Sequence, residues 1–240
     1  MPDALSAVDV VILAGGQGTR LAAVTAETPK PLAPVAGRPF LEHLLDQLRS
    51  YGARQVVLSL GYKPDVFSDY FRDHPPAGLD LKLAFERSPL GTGGGLRNAY
   101  PSLGSDTVLV LNGDSYVEAD LGALVAFHRA KAAEITLLLT RVPDASRFGG
   151  VEVDASGAVT RFLEKGRTGP AFINAGVYVL QRTAVGAIPP ARPVSLERDV
   201  FPARIGKRFF ALGGDFPFID IGTPESYREA HAFFKRKRTV

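Results

Sequence analysis

The sequence predicts an α/β fold, a mostly parallel sheet covered by helices. Three observations carry that expectation. Short apolar runs, such as residues 10–13 and 107–111, end at turns rich in glycine, asparagine or aspartate, as buried parallel strands do. Segments with apolar residues at helical spacing follow these runs, and the strand–loop–helix unit recurs. The 45% hydrophobic and 22% charged composition of the 240 residues suits a packed core and excludes wholesale disorder.

The elements follow in order. Residues 10–13 read as a buried strand running into Ala14-Gly15-Gly16-Gln17-Gly18. Residues 39–51 place Phe40, Leu41, Leu44, Leu45 and Leu48 on one helical face, with Gly52 as the stop. Residues 55–60 form a second strand and 64–71 a short helix. Leu79, Leu81, Leu83 and Phe85 alternate, which marks a strand with one covered face. Residues 92–100 pass from a glycine loop into a helix, and 107–111 form an apolar strand stopped by Asn112-Gly113-Asp114. A helix over 121–132 and a strand over 134–141 complete the repeated pattern. The later strands, 150–153, 159–163 and 175–180, are shorter, with a turn at 154–157. Proline and glycine are frequent from 186 to 217. A last helix spans 224–234, with Thr223 as N-cap and Pro224 at its first position. No linker separates two cores, so one domain is expected.

Composition excludes several functions. The chain has no cysteine, which removes disulfide scaffolds, thiolate zinc sites and cysteine catalysis. No run of about 18 apolar residues could span a membrane. The first nine residues carry no basic region ahead of the apolar run, so no secretory signal is read and a cytoplasmic setting is expected. The net charge is +3, and Lys235-Arg236-Lys237-Arg238 supplies more than all of it. That tail reads as the solvated end of the last helix, where cations suit the dipole. Neither nucleic acid nor membrane is expected as a partner. His43, His74, His128 and His231 show no ligand spacing.

The loop after the first strand sits where an α/β sheet presents its ligand crevice. Its glycines let backbone N–H groups approach phosphate oxygens. A Walker A loop fails because Thr19-Arg20 follow Gly18, and a dinucleotide fingerprint fails at Leu21. Thr28-Pro29-Lys30-Pro31-Leu32 follows closely. Its two prolines should hold the Lys30 backbone extended and mount a cation stiffly beside the loop. Asn112-Gly113-Asp114 and Phe218-Ile219-Asp220-Ile221-Gly222 are two acidic strand ends about 100 residues apart. A hard divalent ion takes one or two such carboxylates and fills its shell with phosphate oxygens and water. The pair works only if the fold brings it together.

Ala14-Gly15-Gly16-Gln17-Gly18-Thr19-Arg20 followed by Pro29-Lys30-Pro31 resembles the signature of the sugar-1-phosphate nucleotidyltransferases, and the resemblance runs from Val10 to about Phe234. It implies a Rossmann-like, glycosyltransferase-A-like α/β/α sandwich with a mostly parallel mixed central sheet. Residues 1–240 would be one nucleotidyltransferase domain, with a nucleotide-binding part over about 8–120 and a sugar-phosphate part over about 121–234. It implies the reaction of an NTP with a sugar 1-phosphate to give an NDP-sugar and pyrophosphate, with Mg²⁺. On that resemblance Asp114 and Asp220 are the metal ligands. The family often has an aromatic residue before the second aspartate, where this chain has Ile219. Arg20 and Lys30 are the catalytic cations.

Leu13, Ala14, Gly15, Gly16, Gly18, Thr19, Arg20, Glu86, Gly91, Thr92, Gly93, Asn112 and Gly113 would contact the nucleotide. Gly149, Glu164, Lys165, Asn174 and Glu197 would contact the sugar phosphate. Ser195 before Glu197 reads equally as a helix N-cap. Where thymidylyltransferases carry a glutamine and a Gly-Leu-Ala run, this chain has Pro89-Leu90-Gly91-Thr92-Gly93-Gly94. That looks like the heptose-1-phosphate guanylyltransferase subgroup, with mannose-1-phosphate guanylyltransferases and muramate-type uridylyltransferases as relatives. GTP and D-glycero-D-manno-heptose 1-phosphate are the expected substrates, giving GDP-heptose. Mannose 1-phosphate, or a UTP-dependent reaction, is the alternative within the class. A non-catalytic regulator that senses nucleotide sugars would tolerate loss of Lys30, Asp114 or Asp220, yet all three are present. A homodimer is compatible with the sequence.

A sugar phosphate is already ionised at neutral pH, its second pKa lying near about 6. No Ser-His-Asp triad is required. Charge repulsion and alignment form the barrier, so positioning and electrostatic stabilisation should supply the catalysis.

Overall fold

The computed structural model describes residues 3–18, 28–166 and 168–236, with the backbone of Lys237. In chain order the elements begin with β1 (Asp9–Leu13), the two-residue strands β2 (Pro34–Val35) and β3 (Arg38–Pro39), α1 (Phe40–Ser50), β4 (Gln55–Leu60) and α2 (Pro64–Asp73). Then come β5 (Asp80–Phe85), α3 (Gly91–Ala99), β6 (Thr107–Asn112), β7 (Ser115–Val117), α4 (Leu121–Ala130) and β8 (Ile135–Val142). The remainder holds β9 (Val151–Val153), β10 (Val159–Phe162), β11 (Ala171–Gln181), α5 (Arg182–Gly186), β12 (Phe209–Gly214), β13 (Phe218–Asp220) and α6 (Pro224–Lys237).

Seven strands make the central sheet in the order β12-β8-β11-β6-β1-β4-β5. The block β6-β1-β4-β5 is parallel throughout, with Val10 level with Val56 and Leu109. β11 runs antiparallel to both β6 and β8, while β12 is parallel to β8. The result is the mostly parallel mixed sheet that was expected. Strand side chains alternate between faces. Val10, Ile12, Val56, Leu58, Leu109 and Leu111 join one core, and Val11, Val57, Val108 and Val110 the other. The first core is closed by Leu41 and Leu44 of α1, Phe67 of α2, Leu121 and Leu124 of α4 and Phe234 of α6. The second is closed by Leu96 and Ala99 of α3, Val185 of α5, and Leu196 and Phe201. Each such side chain buried fully stabilises the fold by about 1.5–3 kcal/mol, before its entropy cost.

Four expectations are corrected. β11 is not a short strand at 175–180 but eleven residues long, because its antiparallel pairing with β8 continues past a register shift between Asn174 and Tyr178. β7 and β12 are strands that the sequence reading did not include; β7 has three residues, too few to show a period, and β12 ends in two glycines. Lys30 is not extended: Lys30–Leu32 forms a 3₁₀ turn, with Ala33 N donating to Lys30 O at 3.1 Å, and only Pro29 (ψ 136°) is extended. Gly91–Ala99 is helical from its first glycine, so the glycine loop is itself the helix start. No described helix is long and apolar enough to cross a membrane.

Candidate active site

From β1 the chain crosses to β4 on one side and to β6 on the other. Such a switch of direction leaves a crevice outside the carboxyl ends of the strands. A cavity of about 410 Å³ lies there, within the usual range for small-molecule sites. Leu13 and the loop Ala14 to Gly18 form one wall, with Lys30 and Pro31. Ser59, Gly61 and Tyr62 follow β4; Glu86, Pro89, Gly91 and Thr92 follow β5; Asn112, Gly113 and Asp114 follow β6. Most nucleotide-site residues expected from sequence therefore line one cavity. Gly93 does not line it: it is buried, and its N–H donates to Val194 O at 2.8 Å, anchoring α3 to a distant loop. Thr19 and Arg20 lie outside the described residues, as does Leu21. A second cleft, about 550 Å³, opens between α1 and residues 116–120 among Arg38, Asp46, Tyr116 and Glu118, and shares no lining residue with the first.

Gly18 holds a left-handed backbone (φ 60°), and a Cβ there would stand 3.1 Å from Lys30 Cβ. Glycine thus lets the loop close onto the lysine. Lys30 Nζ donates to Asp114 Oδ2 at 2.5 Å, with the lysine side chain 13% exposed. The second aspartate is delivered by β13, which pairs antiparallel with β7 so that Asp220 is level with Ser115; Ile221 N donates to Asp114 O at 2.9 Å. Asp220 Oδ1 accepts from Gly222 N (2.5 Å) and Ser226 Oγ (3.2 Å), and its Oδ2 accepts from Arg147. The fold therefore brings together the two acidic strand ends, and each carboxylate faces a cation.

This donor set fits a hard divalent ion. Two neighbouring carboxylates repel and require positive charge between or beside them, and Mg²⁺ takes one or two carboxylates plus phosphate oxygens. Among the described residues no group of three or more His, Cys, Asp or Glu could hold a metal by itself. Such an ion would share its shell with substrate.

Glu86 lines the same cavity, beside Gly15 and Gly61. Its Oε1 accepts from Ser59 Oγ at 3.2 Å and its Oε2 from Leu90 N at 2.9 Å. These bonds fix the carboxylate between β4 and the turn into α3. A carboxylate offers about four lone-pair sites, so two remain for a ligand.

The expected sugar-phosphate residues are less tightly gathered. Gly149 lies beside Lys165: a Cβ on it would stand 2.7 Å from Leu163 O and 3.6 Å from Lys165 Cγ. Glu164 and Lys165 are exposed and do not line the cavity. Asn174 is spent on the fold, accepting from Gly176 N (2.9 Å) and donating to Tyr178 OH (3.1 Å) at the register shift of β11. Glu197 accepts from Thr92 Oγ1 (2.8 Å) and Ser195 Oγ (3.0 Å), while Ser195 Oγ also accepts from Arg198 N (3.2 Å). Ser195 is thus the N-cap, and Glu197 ties that segment to the nucleotide side of the cavity.

Sequence reasoning missed Ser59, Tyr62, Tyr178 and a role for Arg147. Tyr178 reaches toward Asn112 Oδ1 (3.4 Å) and Glu197 Oε1 (3.5 Å). Burial, then the Glu197 charge, pushes its hydroxyl pKa well above the usual tyrosine range, so it stays protonated as a donor. Within an apolar strand it carried no signal. Arg147 was visible two residues before Gly149, but its partner Asp220 is 73 residues away.

Residues 9–237 match the nucleotidyl transferase family. The chain is 44% identical over 224 residues to a mannose-1-phosphate guanylyltransferase of Mycobacterium tuberculosis, spanning 92% of this chain but 62% of that protein. It is 35% identical to a D-glycero-alpha-D-manno-heptose 1-phosphate guanylyltransferase of Aneurinibacillus thermoaerophilus, over 92% of this chain and 96% of that one. Among solved structures, HddC from Yersinia pseudotuberculosis complexed with GMP-PN is similar at a TM-score of 0.86 and 35% identity, over 95% of this chain and 99% of that one. The glycine loop, the lysine and the two opposed aspartates lie within the matched region, and this chain belongs to the nucleotidyl transferase family.

Proposed function

We propose that this protein is a guanylyltransferase that joins GTP and D-glycero-D-manno-heptose 1-phosphate to give GDP-heptose and pyrophosphate. The observation that carries the reading is the pair of carboxylates on paired strands, each matched by a cation, with Asp114 and Lys30 lining the same cavity as Glu86. The backbone from Ala14 to Gly18 takes the triphosphate. Arg20 and Lys30 offset its charge. Asp114 and Asp220 hold Mg²⁺, which when bound neutralises phosphate oxygens. Lys165 and the backbone at Gly149 hold the sugar phosphate, with Glu164 accepting from sugar hydroxyls. Asn174 and Glu197 act through Tyr178 and Thr92 rather than by direct contact. A phosphate oxygen of the sugar attacks the α-phosphorus in line. The α–β phosphoanhydride bond breaks and pyrophosphate leaves. The expected setting is the cytoplasm.

Glu86 supports the choice of base. Guanine presents two adjacent N–H donors, N1–H and the exocyclic amine, to the two free lone-pair sites. Uracil presents one. Adenine and cytosine present a ring nitrogen acceptor, which the carboxylate repels. The guanylyltransferase names of the relatives and the GMP-PN complex agree with this preference. Mannose 1-phosphate is the second reading for the sugar, favoured by the higher identity to the mycobacterial protein, 44% against 35%.

Pyrophosphate release over GTP, UTP, dTTP, CTP and ATP against heptose, mannose and glucose 1-phosphates, with and without Mg²⁺, tests the reading. Metal-dependent turnover with GTP and heptose 1-phosphate is expected. Faster turnover with mannose 1-phosphate moves the sugar assignment, and faster turnover with UTP moves the base. Nucleotide-sugar binding without turnover of any pair replaces the enzyme by a regulator.

A further inference from the structure

Arg147 is fixed by three side chains around the second aspartate. One guanidinium nitrogen donates to Asp220 Oδ2; the other reaches Thr223 Oγ1 (3.2 Å) and Ser226 Oγ (3.4 Å). The guanidinium also stacks over its neighbour Phe148, 4.4 Å from the ring centroid. Asp220 is 10% exposed and Arg147 36% exposed, so the carboxylate is covered while the cation keeps access to solvent. Asp220 Oδ1 already accepts two hydrogen bonds, so Oδ2 is the oxygen with capacity for a metal, and Arg147 occupies it. Arg147 belongs to the loop that places Gly149 against Lys165. Its side chain therefore spans from the sugar-phosphate loop to the metal carboxylate.

We propose that Arg147 is a resident counter-cation of Asp220 that exchanges the carboxylate for the phosphate of the incoming sugar 1-phosphate, so that opening of the metal site and binding of the sugar phosphate are coupled. The physical case is a balance of charges. Arg147 cannot leave Asp220 bare, because an unpaired carboxylate with so little water is strongly unfavourable. A divalent ion removes that obstacle. The guanidinium then needs an anion of its own, and a phosphate at Lys165 offers bidentate geometry that an arginine matches. Each arrival makes the other easier, and such coupling is reciprocal. Lys30 stands differently: it approaches Asp114 from beside the glycine loop, on the nucleotide side. This inference rests on the proposed reaction for the identity of the anion, and on the structure alone for the competition at Asp220.

The test is Mn²⁺ binding to the full chain, read from the electron paramagnetic resonance signal of free Mn²⁺ without nucleotide. In the wild type, saturating D-glycero-D-manno-heptose 1-phosphate should tighten Mn²⁺ binding about fivefold or more, the low end of couplings between sites. Arg147→Ala should bind Mn²⁺ at least about fivefold tighter than the wild type with no sugar phosphate present, and should gain little on adding it. Arg147→Lys, which keeps the charge without the fork, should fall between. Adding Asp220→Asn to Arg147→Ala should abolish the tight binding, which locates it. Where Arg147→Ala melts early, Arg147→Met keeps the stem over Phe148 and serves instead. In turnover, Arg147→Ala should raise KM for the sugar 1-phosphate more than KM for GTP, a split that a purely structural role would not produce. Mn²⁺ affinity in Arg147→Ala no tighter than in the wild type, or coupling of wild-type size in that variant, overturns the proposal. Wild-type turnover is read separately, so the reaction and the exchange fail by different results.

Discussion

The two halves of this molecule place their functional residues by different means. In the parallel block β6-β1-β4-β5 the cavity residues other than Lys30 and Pro31 fall within a few positions of strand ends: 13–18, 59–62, 86–92 and 112–114. Parallel strands all deliver their carboxyl ends to one edge, so position along the chain already encodes position in the site. In the other half β11 runs antiparallel between β6 and β8, and site residues arrive from the β8–β9 loop, the turn after β10, the segment before β12, and β13. Nothing local tells which of those loops meet. Asp220 reaches Asp114 only because β13 pairs with β7. The nucleotide side is written in local grammar, and the sugar side depends on long-range pairing.

The largest effect should come where the halves join. Lys30→Ala removes the cation from Asp114 while leaving the 3₁₀ turn, which backbone bonds alone define. Loss of a preorganised charge-stabilising group costs about 10²- to 10³-fold in kcat. Steady-state kinetics with a thermal melt would check it: kcat should fall by that much while the melting temperature stays within a few degrees. Wild-type turnover in this variant would remove Lys30 from the mechanism.

A pair of glycine substitutions separates the halves further. Gly149 has φ 79°, and a Cβ there would meet the Leu163 carbonyl oxygen at 2.7 Å. Backbone cannot give way cheaply, and the left-handed conformation alone costs an alanine about 1–2 kcal/mol. Gly149→Ala should therefore lower the melting temperature by several degrees, at about 2–4 °C per kcal/mol for a chain of this size. In Gly95→Ala the new methyl would meet side-chain ends instead, Glu86 Oε1 and Ser59 Oγ, both at 2.7 Å. Those ends can swing aside, and alanine gains roughly 0.5–1 kcal/mol over glycine in a helix. Stability should hold, but the displaced Glu86 no longer meets the base. Losing a hydrogen bond to a charged group is worth about 1.5–3 kcal/mol, so KM for GTP should rise roughly tenfold or more. The same substitution would thus damage the fold in one half and substrate binding in the other. A large loss of melting temperature in Gly95→Ala, with unchanged KM, would reverse that assignment.

The legibility of the sequence follows the same division. Strand ends and the residues just beyond them were readable because hydrophobic runs and glycine turns are local signals. Those signals placed the segments from Leu13 to Asp114 at strand ends, and the resemblance turned most of them into nucleotide contacts. Gly93 was misplaced because glycine composition reads as loop, whereas Val194, a hundred residues on, accepts from its backbone and holds it in a helix. Lys30 was expected extended because it stands between two prolines, the second of which disfavours the helical region before it; Pro31 nonetheless tolerates the second position of a 3₁₀ turn, and the bond from Ala33 closes it. Tyr178 and Arg147 were invisible in their roles because a side chain's partner is set by tertiary pairing. Asp220 was readable as an acidic strand end, but its meeting with Asp114 came only through a resemblance, since nothing local in the three residues of β13 tells which strand they pair with.

The smallest effect concerns one buried histidine beneath each half. His43 of α1 stacks on Phe234 at 3.8 Å between centroids, with Nε2 3.0 Å from Val35 O and Nδ1 3.0 Å from an Arg38 guanidinium nitrogen. Arg38 can only donate, so Nδ1 accepts and the proton sits on Nε2: the ring is neutral. His128 of α4 pairs through Nδ1 with Thr136 Oγ1 of β8 at 2.8 Å. Burial lowers each pKa from 6.5 to about 4, with the neighbouring arginine adding to the fall in both. Below pH 6.5 the unfolded chain takes up protons that the native rings refuse, so the unfolded state binds more protons and gains relative stability as pH falls. The stabilisation held by the neutral rings is complete above about pH 6.5 and drains away toward about pH 4. Carboxylates titrate in the lower part of the same window, so the informative quantity is the difference between variants. His43→Gln and His128→Gln should each flatten the decline of melting temperature between pH 6.5 and 4, and the double variant should flatten it most. If the flattening from His43→Gln exceeds that from His128→Gln, the ring under α1 carries the larger share of the acid-sensitive stability; the reverse order gives that share to His128. Variant curves parallel to the wild type would mean that both rings already take up protons in the native state.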